Sequence, residues 1–133
     1  MNFIKKNYTK ILIISSCFFI YIYNQKIFRP KIYSNYESNE YLIFIIGVLP
    51  NLLGAIITFL IYILIFENLL KGKKDFREIL RNAVIWTLSL VIFMELERLI
   101  SSGIRFDFFD ILASIIGIIF CLLLYKKDVR FYE

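Results

Sequence analysis

Between two apolar stretches near the C-terminal end, the acids Glu95, Glu97, Asp107 and Asp110 stand close to the bases Arg98 and Arg105. Carboxylates beside guanidinium groups support three kinds of chemistry. They can neutralise one another as an ion-pair latch that closes a hairpin. The acids can hold a cation or the ammonium part of a head group. The arginines can hold a phosphate or carboxylate by forked hydrogen bonds. Glu95 and Arg98 are three residues apart and share a helix face, whereas Glu97 points away from that pair. Downstream, Asp107, Asp110, Ser114 and Gly117 recur at i, i+3, i+7 and i+10, which draws one polar stripe along an otherwise apolar helix.

A short connection over residues 101–106 makes the two helices antiparallel neighbours, so their polar faces can meet with Arg98 and Arg105 against the carboxylates. The candidate ligand-binding residues are therefore Glu95, Arg98, Arg105, Asp107, Asp110 and Ser114. Asn51, beside Pro50, is a possible addition, although its amide could instead serve the backbone that the proline frees. Ala113 and Gly117 form a small-xxx-small pair suited to close helix packing. No catalytic residue, metal ligand or cofactor is expected. The chain has no His and its 2 Cys, Cys17 and Cys121, each lie in an apolar run. Imidazole chemistry, a disulfide framework and a Cys-rich zinc site are thereby excluded. No nucleotide-binding glycine loop occurs, and Ser101 and Ser102 lack a nearby base.

What must position this cluster is a set of membrane spans. Of 133 residues, 59% are hydrophobic, against roughly 45–50% in soluble domains. A small domain cannot bury that much apolar surface in water. Spans of about 20 residues are needed to cross the hydrocarbon. They are read at approximately 9–28, 42–66, 79–100 and 108–125, giving an all-α integral membrane four-helix bundle, compact and forming a single membrane domain over 1–133. The second stretch, 41–66, carries no charge and is interrupted by Pro50, where a kink or a helix start is expected. Residues 14–17, Ile-Ser-Ser-Cys, have the form of a lipoprotein cleavage box, but the apolar run before them is too short, so the first segment is read as an uncleaved span.

Basic residues set the orientation. Lys5, Lys6, Lys10, Lys71, Lys73, Lys74, Arg77, Arg81, Lys126, Lys127 and Arg130 fall on one side, and Lys26, Arg29, Lys31, Arg98 and Arg105 on the other, together the 16 Lys and Arg of the chain. The richer side is the cytoplasmic one, which places both termini in the cytoplasm and the charged hairpin at the external surface of a bacterial inner membrane. Lys71, Lys73, Lys74 and Arg77 could also meet anionic lipid at about 1 kcal/mol each. From Ile79 to Met94 the helix covers about 24 Å at 1.5 Å per residue, less than the roughly 30 Å of hydrocarbon. Glu95 and Asp110 are therefore expected below the outer boundary, where an ionisable group is a candidate for function.

Glu95-x-x-Arg98, then Arg105-x4-Asp110-x3-Ser114-x-x-Gly117, resembles the C-terminal signature of VanZ-like membrane proteins, an acid-x-x-Gln on the third helix followed by Arg, Asp, Asn and Gly on the fourth. Glu95, Arg105, Asp110 and Gly117 match, whereas Arg98 stands at the family's Gln and Ser114 at its Asn. The region from Pro50 to Gly54 is a loose counterpart of an earlier polar segment. The resemblance covers about residues 79–125 and implies a four-span envelope protein associated with low-level teicoplanin resistance, with no defined reaction. The expected function is binding the polar head of an envelope lipid or an amphiphilic glycopeptide from the outer leaflet. The alternatives are a non-enzymatic scaffold subunit with a membrane protein partner, and a small ion-linked transporter. Membrane lipids are expected partners; nucleic acid is not.

Overall fold

The computed structural model describes residues 3–35, 39–70, 75–103 and 107–130. All its elements are helical: α1 (Phe3–Tyr23), a π-turn (Asn24–Phe28), α2 (Arg29–Asn35), α3 (Glu40–Leu69), α4 (Phe76–Ser102) and α5 (Phe108–Arg130). Among the described residues, 4 helical stretches are long and apolar enough to cross a membrane, Asn7–Ser34, Glu40–Leu69, Phe76–Ser101 and Phe108–Lys126. It is a multi-pass membrane protein. Large apolar side chains such as Phe19, Phe93, Ile116 and Leu123 cover the outward faces, as a lipid solvent requires.

The first span runs further than the apolar pattern indicates. Arg29, Pro30 and Lys31 read as a flank outside the bilayer, yet the helix continues through them to Asn35. The π-turn explains this. A proline in a regular α-helix clashes with the carbonyl four residues back and lacks its own donor. Here the Arg29 N–H donates to Asn24 O, five residues back, and the widened turn accommodates the ring of Pro30.

Pro50 interrupts α3 in sequence but not in structure: the helix passes through it without a new start. The carbonyl that loses its donor is Ile46 O, and Asn24 Nδ2 of the first span donates to it at 3.2 Å. Asn51 does not take that role. The N-terminus of α3 is capped by Asn39, whose Oδ1 accepts the Leu42 N–H at 3.2 Å. Helix α4 ends at Gly103, which adopts φ 62° and donates its N–H to Leu99 O at 3.2 Å, the left-handed closure glycine permits.

Helix α3 is the mast of the fold. Helices α1, α4 and α5 all pack on it, and α4 also packs on α5. Phe59, Leu60 and Ile63 of α3 meet Ile79, Leu80 and Ala83 of α4, Ile118, Cys121 and Tyr125 of α5, and Cys17 of α1. A Cβ on Gly117 would stand 2.8 Å from Leu52 O and 3.2 Å from Ile56 Cγ1, so α5 approaches α3 more closely there than any side chain would allow. At the same end as this core, Lys10 pairs with Glu67, bonds Asn7 Oδ1 at 3.4 Å and lies 5.8 Å from the Tyr125 ring. By contrast α1 and α4 do not approach each other among the described residues. In place of a uniformly closed bundle, α1 and α4 stand apart from each other while both pack on α3.

Candidate functional site

The parting of α1 from α4 leaves a cleft of about 840 Å³, within the roughly 300–1,000 Å³ range of ligand sites. Its floor is the face of α3 carrying Gly47, Asn51, Gly54 and Thr58. One wall is the first span, with Phe18, Tyr21, Gln25, Arg29 and Tyr33. The other is α4, with Thr87, Val91, Met94, Glu95 and Arg98, joined by Asp107, Asp110 and Ser114 near the start of α5. Within each helix these positions recur at three or four residues and so share a face. A Cβ on Gly47 or Gly54 would meet nothing within 4 Å, because those glycines border open space.

The cleft has polarity along its length. Arg29, Glu95, Glu97, Arg98, Asp107 and Asp110 collect at the end where α4 turns into α5, and Phe18, Ala55, Ile57, Leu90 and Val91 line the deeper part. From Ile43 to Thr58 the floor extends about 22 Å at 1.5 Å per residue. Ligands that fit such a groove have a polar head and an apolar body.

At the polar end Arg98 Nη2 lies 3.0 Å from Glu95 Oε2 and 3.0 Å from Asp110 Oδ2. Glu95 and Asp110 are 5% and 6% exposed, so their charges need compensation, and the shared guanidinium offsets one of the two. The Asp107 N–H donates to Glu95 Oε2 over a long 3.5 Å. This geometry is an ion-pair latch for the α4–α5 hairpin, and the same residues line the cleft. Asp107 also acts locally, since its Oδ1 accepts the Phe109 N–H at 2.9 Å and so caps the first turn of α5. The Ser114 hydroxyl lies 2.9 Å from Asp110 O and 3.4 Å from Asn51 O, which ties α5 to the floor. Glu97 is exposed at the rim, and Asn51 is half-buried on the floor with its side chain among the lining groups. Arg105, and with it Lys71, Lys73 and Lys74, lies outside the described residues.

The first-span wall and Thr87 are absent from the candidates drawn from the sequence. The signal for Thr87 is present, since it precedes Val91 and Glu95 by four and eight residues on one face of α4. Nothing local marks Gln25, Arg29 and Tyr33, because their relevance depends on which helix stands opposite. Among the described residues no group of three or more His, Cys, Asp or Glu is placed to hold a metal. No family model, characterised protein or solved structure gives a significant match to this chain.

Proposed function

We propose that this chain is a binding protein for membrane amphiphiles, with the cleft holding the polar head of an envelope lipid or of an amphiphilic antibiotic that enters from the outer leaflet. The observation that carries this reading is the cleft's gradient, from the buried Glu95–Arg98–Asp110 cluster at one end to apolar side chains at the other. Both termini lie in the cytoplasm on this reading, so the polar end opens toward the external surface of a bacterial inner membrane. The similarity of Glu95, Arg105, Asp110 and Gly117 to the VanZ-like signature supports an envelope role and adds no reaction.

The test is lipid retention by the purified full-length protein. Gly47→Phe and Gly54→Phe place rings in open space and are expected to expel a bound amphiphile. Phe93→Leu, on an outward face, leaves it in place. The reading fails if both filled-cleft variants keep the same lipids as the unaltered protein, or if Glu95→Gln and Asp110→Asn change neither lipid binding nor antibiotic tolerance.

A further inference from the structure

The two walls of the cleft carry unequal charge. On the α4–α5 side a single guanidinium serves two carboxylates, with Arg98 Nη2 at 3.0 Å from both Glu95 Oε2 and Asp110 Oδ2. That triad keeps one negative charge. On the opposite wall Arg29 has only neutral company: Gln25 Oε1 at 3.4 Å and the Tyr33 ring at 5.7 Å. Among the described residues no acid pairs with it. On the same face of α4 as Glu95, Thr87 is 0% exposed and lines the cleft. Its Oγ1 has no hydrogen-bond partner, which leaves an unsatisfied buried hydroxyl on the cleft wall.

We propose that the head group bound here is a zwitterion, a phosphate joined to a primary ammonium, with the ammonium on Glu95 and Asp110 and the phosphate on Arg29. This rests on the cleft being an amphiphile site and names the chemistry of its ligand. A lone anion would leave the triad's negative charge uncompensated, and a lone cation would leave Arg29 so. The zwitterion compensates both. Among the described residues the second carboxylate oxygens, Glu95 Oε1 and Asp110 Oδ1, accept no hydrogen bond. A primary ammonium brings three N–H donors to them, and a trimethylammonium brings none.

Binding to full-length protein in dodecyl maltoside decides the matter, with phosphatidylethanolamine, phosphatidylcholine, phosphatidylglycerol and soluble phosphoethanolamine as probes. Phosphatidylethanolamine is expected to bind about tenfold more tightly than the other two lipids, the scale of one charge-assisted hydrogen bond. It should also bind far more tightly than the soluble head group. Arg29→Gln should remove about tenfold of that affinity without weakening the binding of dodecylammonium, a cation that gains nothing from a guanidinium. Equal binding of the three lipids, or full phosphatidylethanolamine affinity in a folded Arg29→Gln variant, overturns the head-group assignment and leaves the cleft an amphiphile site. Absence of binding by every lipid, or phosphoethanolamine binding as well as its lipid, overturns both readings. The comparison of lipids needs only the unaltered protein, so it stands whatever the variant does.

Discussion

Asn24 is the sharpest test of how the first span is attached to α3. Its Nδ2 donates to Ile46 O at 3.2 Å, the carbonyl that Pro50 deprives of a helical donor. Asn24→Leu is nearly isosteric and removes that donor. Leaving a buried carbonyl unpaired costs about 1–3 kcal/mol, although side-chain bonds between membrane helices average only about 0.6 kcal/mol. An opposing effect is also present. Asn24 Oδ1 is buried without a partner, and its removal recovers a contribution of similar size. The single substitution should therefore shift stability by less than about 1 kcal/mol, too little to interpret alone. Pro50→Ala separates the two effects, because an alanine N–H bonds Ile46 O within α3 and makes the amide of Asn24 redundant. In that background Asn24→Leu should be more favourable by about 1 kcal/mol than in the unaltered chain. Reversible unfolding in mixed micelles can read the difference through Trp86, the chain's 1 Trp, whose ring lies 6.4 Å from that of Tyr62 on α3. A coupling energy inside the additivity scatter of about 0.3–0.5 kcal/mol would refute the claim that Asn24 serves this carbonyl.

Gly117→Ala should destabilise the fold by about 1–3 kcal/mol through its clash with the Leu52 carbonyl, whereas Gly54→Ala, facing open space, should stabilise it by about 0.5–1 kcal/mol. Thermal melts in detergent that rank the two the other way would refute the packing argument. Arg98→Gln leaves two buried carboxylates without their cation. Breaking a fully buried pair costs about 3–5 kcal/mol, and with the Arg98 side chain 36% exposed roughly half of that is expected after screening. Adding Asp110→Asn should recover part of the loss, and an Arg98→Gln variant as stable as the parent would contradict the latch. For topology, Cys17 and Cys121 are buried and give little background to an impermeant maleimide. Cysteines at Ser34 and Ser101 should label from outside intact cells and one at Lys126 should not; the opposite pattern would invert the proposed orientation.

Much of the scaffold is legible because lipid imposes a severe rule: each apolar stretch must satisfy its own backbone, so length and charge distribution alone mark the spans. The Glu95–Arg98 contact at 3.0 Å follows from their separation on one helix. The partnership with Asp110 follows from the short connection between α4 and α5. What the sequence does not display is the identity of neighbours. Spacing shows that Gln25, Arg29 and Tyr33 share a face, but not that this face looks across a gap at Glu95. Likewise the end of the first span is hidden because Arg29-Pro30-Lys31 has the composition of a flank. One π-turn, a feature without a composition signature, allows the helix to continue.

The open and closed parts of this molecule follow from two faces of one helix. On α3, Leu52 and Ile56 stand opposite Gly117, where the missing side chain brings α5 close and leaves no room for a ligand. Around the same helix, Gly47, Asn51, Gly54 and Thr58 recur at i, i+4, i+7 and i+11 and form the floor of the cleft. Glycine on that face does the reverse of Gly117: no helix comes in to use the space it frees. The first span is kept from closing over it by its own attachment, since the Asn24–Ile46 bond fixes its contact with α3 while Gln25 and Arg29 remain on the cleft side. If the cleft lies in hydrocarbon, as proposed, leaving it empty would cost its walls dispersion contacts and its charges solvation. Lipid acyl chains can fill the apolar depth, but only a charged or strongly polar group can satisfy the end that holds Glu95, Arg98 and Asp110. The polar end, rather than the volume of the cleft, is therefore what would select an occupant from the bulk lipid.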